Sequence, residues 1–315
     1  MSANVKVARP SRNNFANFDK ILLGAVIALL FIGTLLVYAG TREWFRSNNL
    51  DPEYYLKRHV LNILIGALLA YGTTLIDYRL LRAYTPIVWG AGVLGLLVVV
   101  VAGATVNGAK AWIAFPGGFQ LQPAELAKIS IIVGMAMVLA ERKDLRGDPT
   151  DSDVAKSLLV AAIPVALILL QPDLGTVIII SAAVVAMIGA SGAPIRWVVG
   201  LLIVAGVGGL VAVQAGVVSE YQVKRLQSFI DPAADPQLSG YQLRQARITI
   251  GSGGFFGKGL FDGPQTNGRF VPEQQTDFIF TVAGEELGFL GCSLILLLYS
   301  IIFIRGFMIA RNTND

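Results

Sequence analysis

Long apolar runs separated by short polar connectors dominate the chain from residue 20 onward. Ile21 to Gly40 and Ala83 to Ala109 contain no charged residue at all. A helix needs about 20 apolar residues to cross about 30 Å of hydrocarbon. Inside lipid every backbone amide must be satisfied within its own element, so such runs are helices. The pattern predicts eight spans, at 20–40, 59–76, 85–103, 123–140, 156–171, 175–192, 196–218 and 278–304. Pro164 falls within the fifth and is expected to kink it. Between the seventh and eighth runs lies a polar stretch of a different scale, residues 219–277. No internal repeat is evident. The expected class is all-α, a polytopic membrane protein with one transmembrane domain over 1–315 and a large loop at 219–277 within it.

Composition sharpens this picture. Of 315 residues, 54% are hydrophobic and 15% charged, against about 25% charged in soluble domains. A formal charge of +4 then speaks to orientation and anionic head groups, not to nucleic acid. Sorting the short connectors by side puts Lys6, Arg9, Arg12 and Lys20, then Arg79 and Arg82, then Arg142 to Lys156, Arg196, Arg305 and Arg311 together. The opposite side holds Arg42, Arg46, Lys57, Arg58 and Lys110. The larger set is predicted to face the cytoplasm. Both visible termini are then cytoplasmic, while the loop around Trp112, the turn Gln171–Thr176 and the 219–277 loop lie outside. The first apolar run is too long for a signal peptide and is expected to be an uncleaved anchor. Cys292, the single cysteine, has no internal partner and is expected to be a packed thiol. His59 opens a span and reads as interfacial. No zinc, haem or iron–sulfur spacing is present.

Candidate chemistry gathers at the predicted outer face. Asp277 stands at the mouth of the last span, where a carboxylate meets both water and lipid; it is either a general base or an N-cap. Glu125 and Lys128 are three apart, on one face of the fourth helix, and read as a structural ion pair. Asp173 in the turn QPDLGT is a helix cap or a cavity-edge ligand. Glu285 and Glu286 lie about 12 Å of helix rise beyond Asp277, too far to cooperate directly, and read as structural or as cavity lining. The segment Ile248–Gly263 is glycine-rich and holds Lys258, but Ser252 and Gly259 break the nucleotide-binding P-loop pattern. Its amides are either a nest for a diphosphate or a packed turn. Lys224, Arg225, Arg244, Arg247, Lys258 and Arg269 give the large loop a basic surface suited to an anionic lipid-linked substrate or to anionic phospholipid.

The stretches NGAKAWIAF and QLQPAELAK (Asn107 to Lys128), QPDLGT, YQVKRLQSFIDP, YQLRQARITIGSGGFFGKG and FVPEQQTDFIFTVAGEELGFLG, in this order, resemble the SEDS family: the shape, elongation, division and sporulation proteins RodA, FtsW and SpoVE. The wording FVPEQQTDFIF is closest to RodA. The resemblance implies a peptidoglycan glycosyltransferase that polymerises lipid II at the outer face of the cytoplasmic membrane. It implies Asp277 as the essential acidic residue, Lys110 and Trp112 as a sensitive first outer loop, and Glu125 with Lys128 as the family ion pair. Arg247 and Lys258 are then candidates for binding the substrate diphosphate. It also implies a divalent cation, magnesium or manganese, and a class B penicillin-binding protein as partner. The family usually has ten spans and eight are visible, so the chain is expected to be C-terminally truncated. Two other functions fit the residues: a flippase for lipid-linked precursor using Glu125, Lys128 and Glu286, and a non-catalytic cell-wall scaffold.

Overall fold

The computed structural model describes residues 18–313 except 107–108, 117–118, 172, 217, 219–221, 224–226 and 228–238. It divides into two compact units. One comprises the chain up to Tyr71 together with that from Ser219 onward; the other is Gly72–Val218.

The first unit contains α1 (Lys20–Ser47), α2 (Tyr54–Thr74), α8 (Ser239–Ser252), a single turn α9 (Pro264–Asn267), α10 (Ile279–Glu286) and α11 (Gly288–Asn312). Asp19 caps α1, its carboxylate accepting the amides of Ile21 and Leu22 at 3.0 Å each. The same carboxylate pairs with Arg305, tying the start of α1 to the far end of α11. Between them Leu36, Ala39, Val282, Ala283, Cys292 and Ile295 close a core. Cys292 is thus a buried free thiol, as its apolar setting predicts.

The second unit contains α3 (Tyr78–Ala102), strands β1 (Ala104–Val106), β2 (Ala109–Phe115) and β3 (Phe119–Leu121), then α4 (Pro123–Arg146), α5 (Asp151–Leu169), α6 (Leu174–Ala190) and α7 (Ile195–Gln214). Leu96, Ile131, Met135, Ile168 and Ile188 are its largest fully buried apolar side chains. Trp89 Nε1 donates to the Val160 carbonyl at 3.0 Å, joining α3 to α5. In both units the faces turned away from the core are apolar and exposed, Val101 at 79% and Phe303 at 72% among them. A water-soluble protein rarely shows such a surface; a bilayer covers it at no cost.

Helices occupy all eight positions expected from the apolar runs, but three features differ. Among the described residues, six helices are both long and apolar enough to cross a membrane. Leu174–Ala190 is shorter, and α2 carries Lys57, Arg58, His59 and Asn62 in its first half. Pro164 lies inside α5, which runs unbroken through it, and Pro86 does the same in α3.

The second difference is a three-stranded antiparallel sheet in a chain expected to be all helix. Ala104 pairs with Trp112 and Ile113 with Leu121. The segment between α3 and α4 is rich in β-branched and aromatic residues. Its first two strands are separated by Asn107-Gly108, the strongest short hairpin signal in a sequence.

The third difference is a break in the last apolar run. α10 ends at Glu286 and α11 starts at Gly288, whose φ is +68°. The turn after α8 is inserted at the break. Lys258 and Gly259 amides donate to the carbonyls of Glu285 and Glu286, at 2.8 and 3.1 Å. In return the Phe289 and Leu290 amides donate to the carbonyls of Gly254 and Phe255, at 2.9 and 3.2 Å. Groups that a helix end leaves orphaned are satisfied in both directions. A Cβ on Gly257 would lie 2.1 Å from the Glu286 carbonyl oxygen, so only glycine admits this approach.

Candidate functional site

Asp277 sits in a turn that runs from Val271 to Phe278 and feeds α10. The turn is wound on one carbonyl. The amides of Thr276, Asp277 and Phe278 all donate to the Glu273 oxygen, at 3.2, 3.1 and 3.3 Å. Glu273 itself has φ +51°, the left-handed conformation that lets three successive amides converge. Gln275 Nε2 donates to the Glu273 carboxylate at 3.0 Å.

The cap of α10 is Phe278, not Asp277, and no side chain caps that helix. The capping alternative for Asp277 therefore does not hold. Its side chain is exposed, and among the described residues it has no hydrogen-bond or ion-pair partner. A carboxylate fixed by its main chain and free at its oxygens is suited to take a proton from something that binds.

Behind the turn lies a buried polar cluster, most of it hydrogen-bonded, although Gln274 Oε1 has no partner. Gln274 is completely buried, and its Nε2 donates to the carbonyls of Gly40 in α1 and Thr266 in α9, at 2.8 Å each. Glu285 is also completely buried. Its carboxylate accepts from the amides of Gln265 and Thr266 at 2.9 and 2.7 Å and from Thr266 Oγ1 at 2.7 Å; Ser252 Oγ lies 3.2 Å away, with the Thr249 carbonyl closer to it at 2.7 Å. This is the structural role expected for Glu285, although it stands in a short helix ahead of the last span and not within it. Neither Gln274 nor Thr266 was picked out in the sequence, because a buried amide or hydroxyl among turn residues carries no pattern.

Glu286 lies beside Glu285 but faces the other way. Both its carboxylate oxygens are buried without a hydrogen-bond partner. It lines a mostly apolar cavity of about 430 Å³ with Ile32, Leu36, Leu260 and Leu294, in keeping with its reading as cavity lining.

The glycine-rich segment does not form a free anion nest. The Lys258 and Gly259 amides are spent on the carboxyl end of α10. The side chains of Lys258 and Arg247 are exposed, and no partner is recorded for either among the described residues. Arg269 instead stacks over Trp44 at 4.3 Å and Arg42 over Phe261 at 4.4 Å, each cation on an aromatic face. Lys224 and Arg225 lie outside the described residues.

In the second unit, Lys128 Nζ meets Glu125 Oε1 at 2.7 Å, so the ion pair expected from their spacing forms. Asp173 caps α6, accepting from the Thr176 amide at 3.1 Å and its hydroxyl at 2.7 Å. Gln122 Nε2 adds a third donor at 3.0 Å. All three act within the fold, which accounts for Asp173 as a cap. Lys110 Nζ donates to the carbonyls of Val100 and Val101, at 3.0 Å each. Its charge is committed to the carboxyl end of α3, where a cation is favoured. Trp112 is half-buried on β2.

The divalent cation that the resemblance implies finds no group of three or more His, Cys, Asp or Glu side chains among the described residues. The described residues therefore assign no protein cage to it.

Residues 20–315 match the family model for FtsW, RodA and SpoVE, described as cell cycle protein. Over 306 residues the chain is 35% identical to a protein of Trichlorobacter lovleyi named "Probable peptidoglycan glycosyltransferase FtsW", covering 95% of this chain and 78% of that one. Over 302 residues it is 33% identical to the stage V sporulation protein E of Bacillus subtilis, covering 94% and 80%. Among solved structures it resembles a chain from work on the structural coordination of polymerization and crosslinking by a peptidoglycan synthase complex. That match has a TM-score of 0.72 and 30% identity, covering 92% of this chain and 77% of the other. The rod shape determining protein RodA of Thermus thermophilus matches with a TM-score of 0.62 and 28% identity, over 93% and 75%. These relatives carry the names FtsW and SpoVE, and RodA is among the similar structures, so the wording around Asp277 does not single out RodA. Matched across nearly its whole length, the chain belongs to the SEDS family of multi-pass membrane proteins.

Proposed function

We propose that this chain is a peptidoglycan glycosyltransferase that polymerises lipid II, with Asp277 as its general base. The observation that carries this reading is the state of Asp277: a carboxylate held by three main-chain hydrogen bonds around Glu273 and unpartnered at its own oxygens. The donor carries an α-linked diphosphate, and the product is a β-1,4 glycan, so the reaction inverts the anomeric carbon. Asp277 takes the proton from the acceptor 4-hydroxyl as that oxygen bonds to the donor carbon. The carbon–oxygen bond to the diphosphate breaks, and the electron pair leaves with the phosphate. One in-line attack needs one base. Arg247 and Lys258, both exposed cations, are suited to offset charge on the departing diphosphate.

The Lys and Arg distribution supports an orientation in which the Asp277 turn faces outside the cytoplasmic membrane, where lipid-linked precursor is consumed. A class B transpeptidase is the fitting partner, since the similar synthase complex couples polymerization to crosslinking.

Purified protein incubated with lipid II in detergent tests the proposal against a flippase or a scaffold. Glycan polymer forms without any vesicle or gradient if the chain is the enzyme. Failure to form polymer while precursor crosses vesicles made with the same preparation would replace the proposal with the transport reading.

A further inference from the structure

We infer that Glu285 and Gln274 are positioning residues that hold the Asp277 turn through Thr266; the inference rests on Asp277 being the base. The chain of contacts is continuous and buried. The Glu285 carboxylate accepts from the Thr266 amide and hydroxyl at 2.7 Å each. The Thr266 carbonyl accepts from Gln274 Nε2 at 2.8 Å, and the same nitrogen reaches the Gly40 carbonyl at 2.8 Å. Gln274 is three residues before Asp277 and directly follows Glu273, whose carbonyl gathers the Asp277 amide. A rigid path therefore runs from α10, through the α9 turn, to the peptide that aims the base. α1 braces it from the side.

The donors and acceptors around Glu285 and around Gln274 Nε2 suit this task. Three donors aim at Glu285, two amides and the Thr266 hydroxyl, while the Ser252 hydroxyl gives its proton to the Thr249 carbonyl at 2.7 Å and stands 3.2 Å from the carboxylate. A carboxylate matches these donors at both oxygens; an amide of the same shape would set its own NH₂ against one of the two backbone amides. Both groups facing Gln274 Nε2 are carbonyls, which only a donor satisfies. Gly263 allows the close approach, because a Cβ there would lie 2.7 Å from Glu285 Oε2. A packed core needs none of this polar matching. An element that must hold a side chain at a fixed place does, since displacing a reacting group by about 1 Å costs about 10²-fold in rate.

The test uses the full chain with lipid II in detergent, with turnover counted per folded molecule by size exclusion and thermal unfolding. Glu285→Gln and Gln274→Met are each expected to lower kcat by about 10- to 100-fold while KM stays within about twofold. Thr266→Val, which removes only the hydroxyl, gives a smaller fall of the same kind and serves if Glu285→Gln does not fold. In an Asp277→Asn background, adding Glu285→Gln is expected to change residual turnover by less than about twofold, because a base already lost cannot be misaimed. Folded Glu285→Gln with parental kcat overturns the inference, and so does an Asp277→Asn background in which its full loss persists. Parental activity in Asp277→Asn alone removes the base, and the positioning role with it; that arm reports on the base separately from the others.

Discussion

Two aspartates show how one residue type takes different work from its surroundings. Asp173 and Asp277 both stand at the entrance to a helix. The Asp173 carboxylate receives three donors, from Thr176 twice and Gln122 once. Asp277 receives none, because Phe278 takes the cap position and Glu273 gathers the nearby amides. Asp173→Ala is therefore expected to cost about 0.5–2 kcal/mol of stability, the ordinary value of a lost cap, read as a lower unfolding temperature with turnover per folded molecule unchanged. The identity of Asp277 as a candidate was legible from a single carboxylate placed between a polar loop and an apolar run. Its lack of a partner was not, since capping depends on which residue begins the helix, and the sequence offers Thr276, Asp277 and Phe278 within one turn. The partners of Lys110 are not legible in the sequence for the same reason. A lysine beside a tryptophan in an outer loop looks available to an anionic ligand, whereas folding brings it to the end of α3, where two carbonyls take its charge.

At the scale of elements, hydropathy located the helices and said nothing of the break in the last one. Apolar residues continue through Leu287, Phe289 and Leu290, so the run reads as a single span. The interruption comes from elsewhere in the chain: the turn at Gly253–Gly259 supplies both donors and acceptors to the exposed ends. The glycines that suggested an anion nest are there to let two backbones touch. Gly257→Ala puts a Cβ 2.1 Å from the Glu286 carbonyl oxygen at φ +85°. Its cost is expected to exceed the roughly 1–2 kcal/mol of the left-handed backbone alone. Yield of folded, detergent-stable protein measures this, and the loss should exceed that of an alanine at exposed Gly251, which has open space around it. The sheet between α3 and α4 was legible in principle from Asn107-Gly108 and its flanking strand formers, but strands of three, seven and three residues give little alternation beside long apolar runs.

For the whole molecule, class and family followed from features that folding does not alter: the length of apolar runs and the order of several long motifs. Chemistry depends on how distant segments meet. Gln274 touches Gly40, more than two hundred residues away along the chain, and no periodicity announces such a contact. The account of function nonetheless converges on one carboxylate. The most direct measurement is the rate at which purified Asp277→Asn polymerises lipid II, set beside the parent chain with equal unfolding temperatures. A general base is worth about 10²–10⁴ in rate, so turnover is expected to fall by that factor or more. Glycan synthesis at close to the parental rate by the folded variant would contradict the assignment of Asp277 and the mechanism built on it.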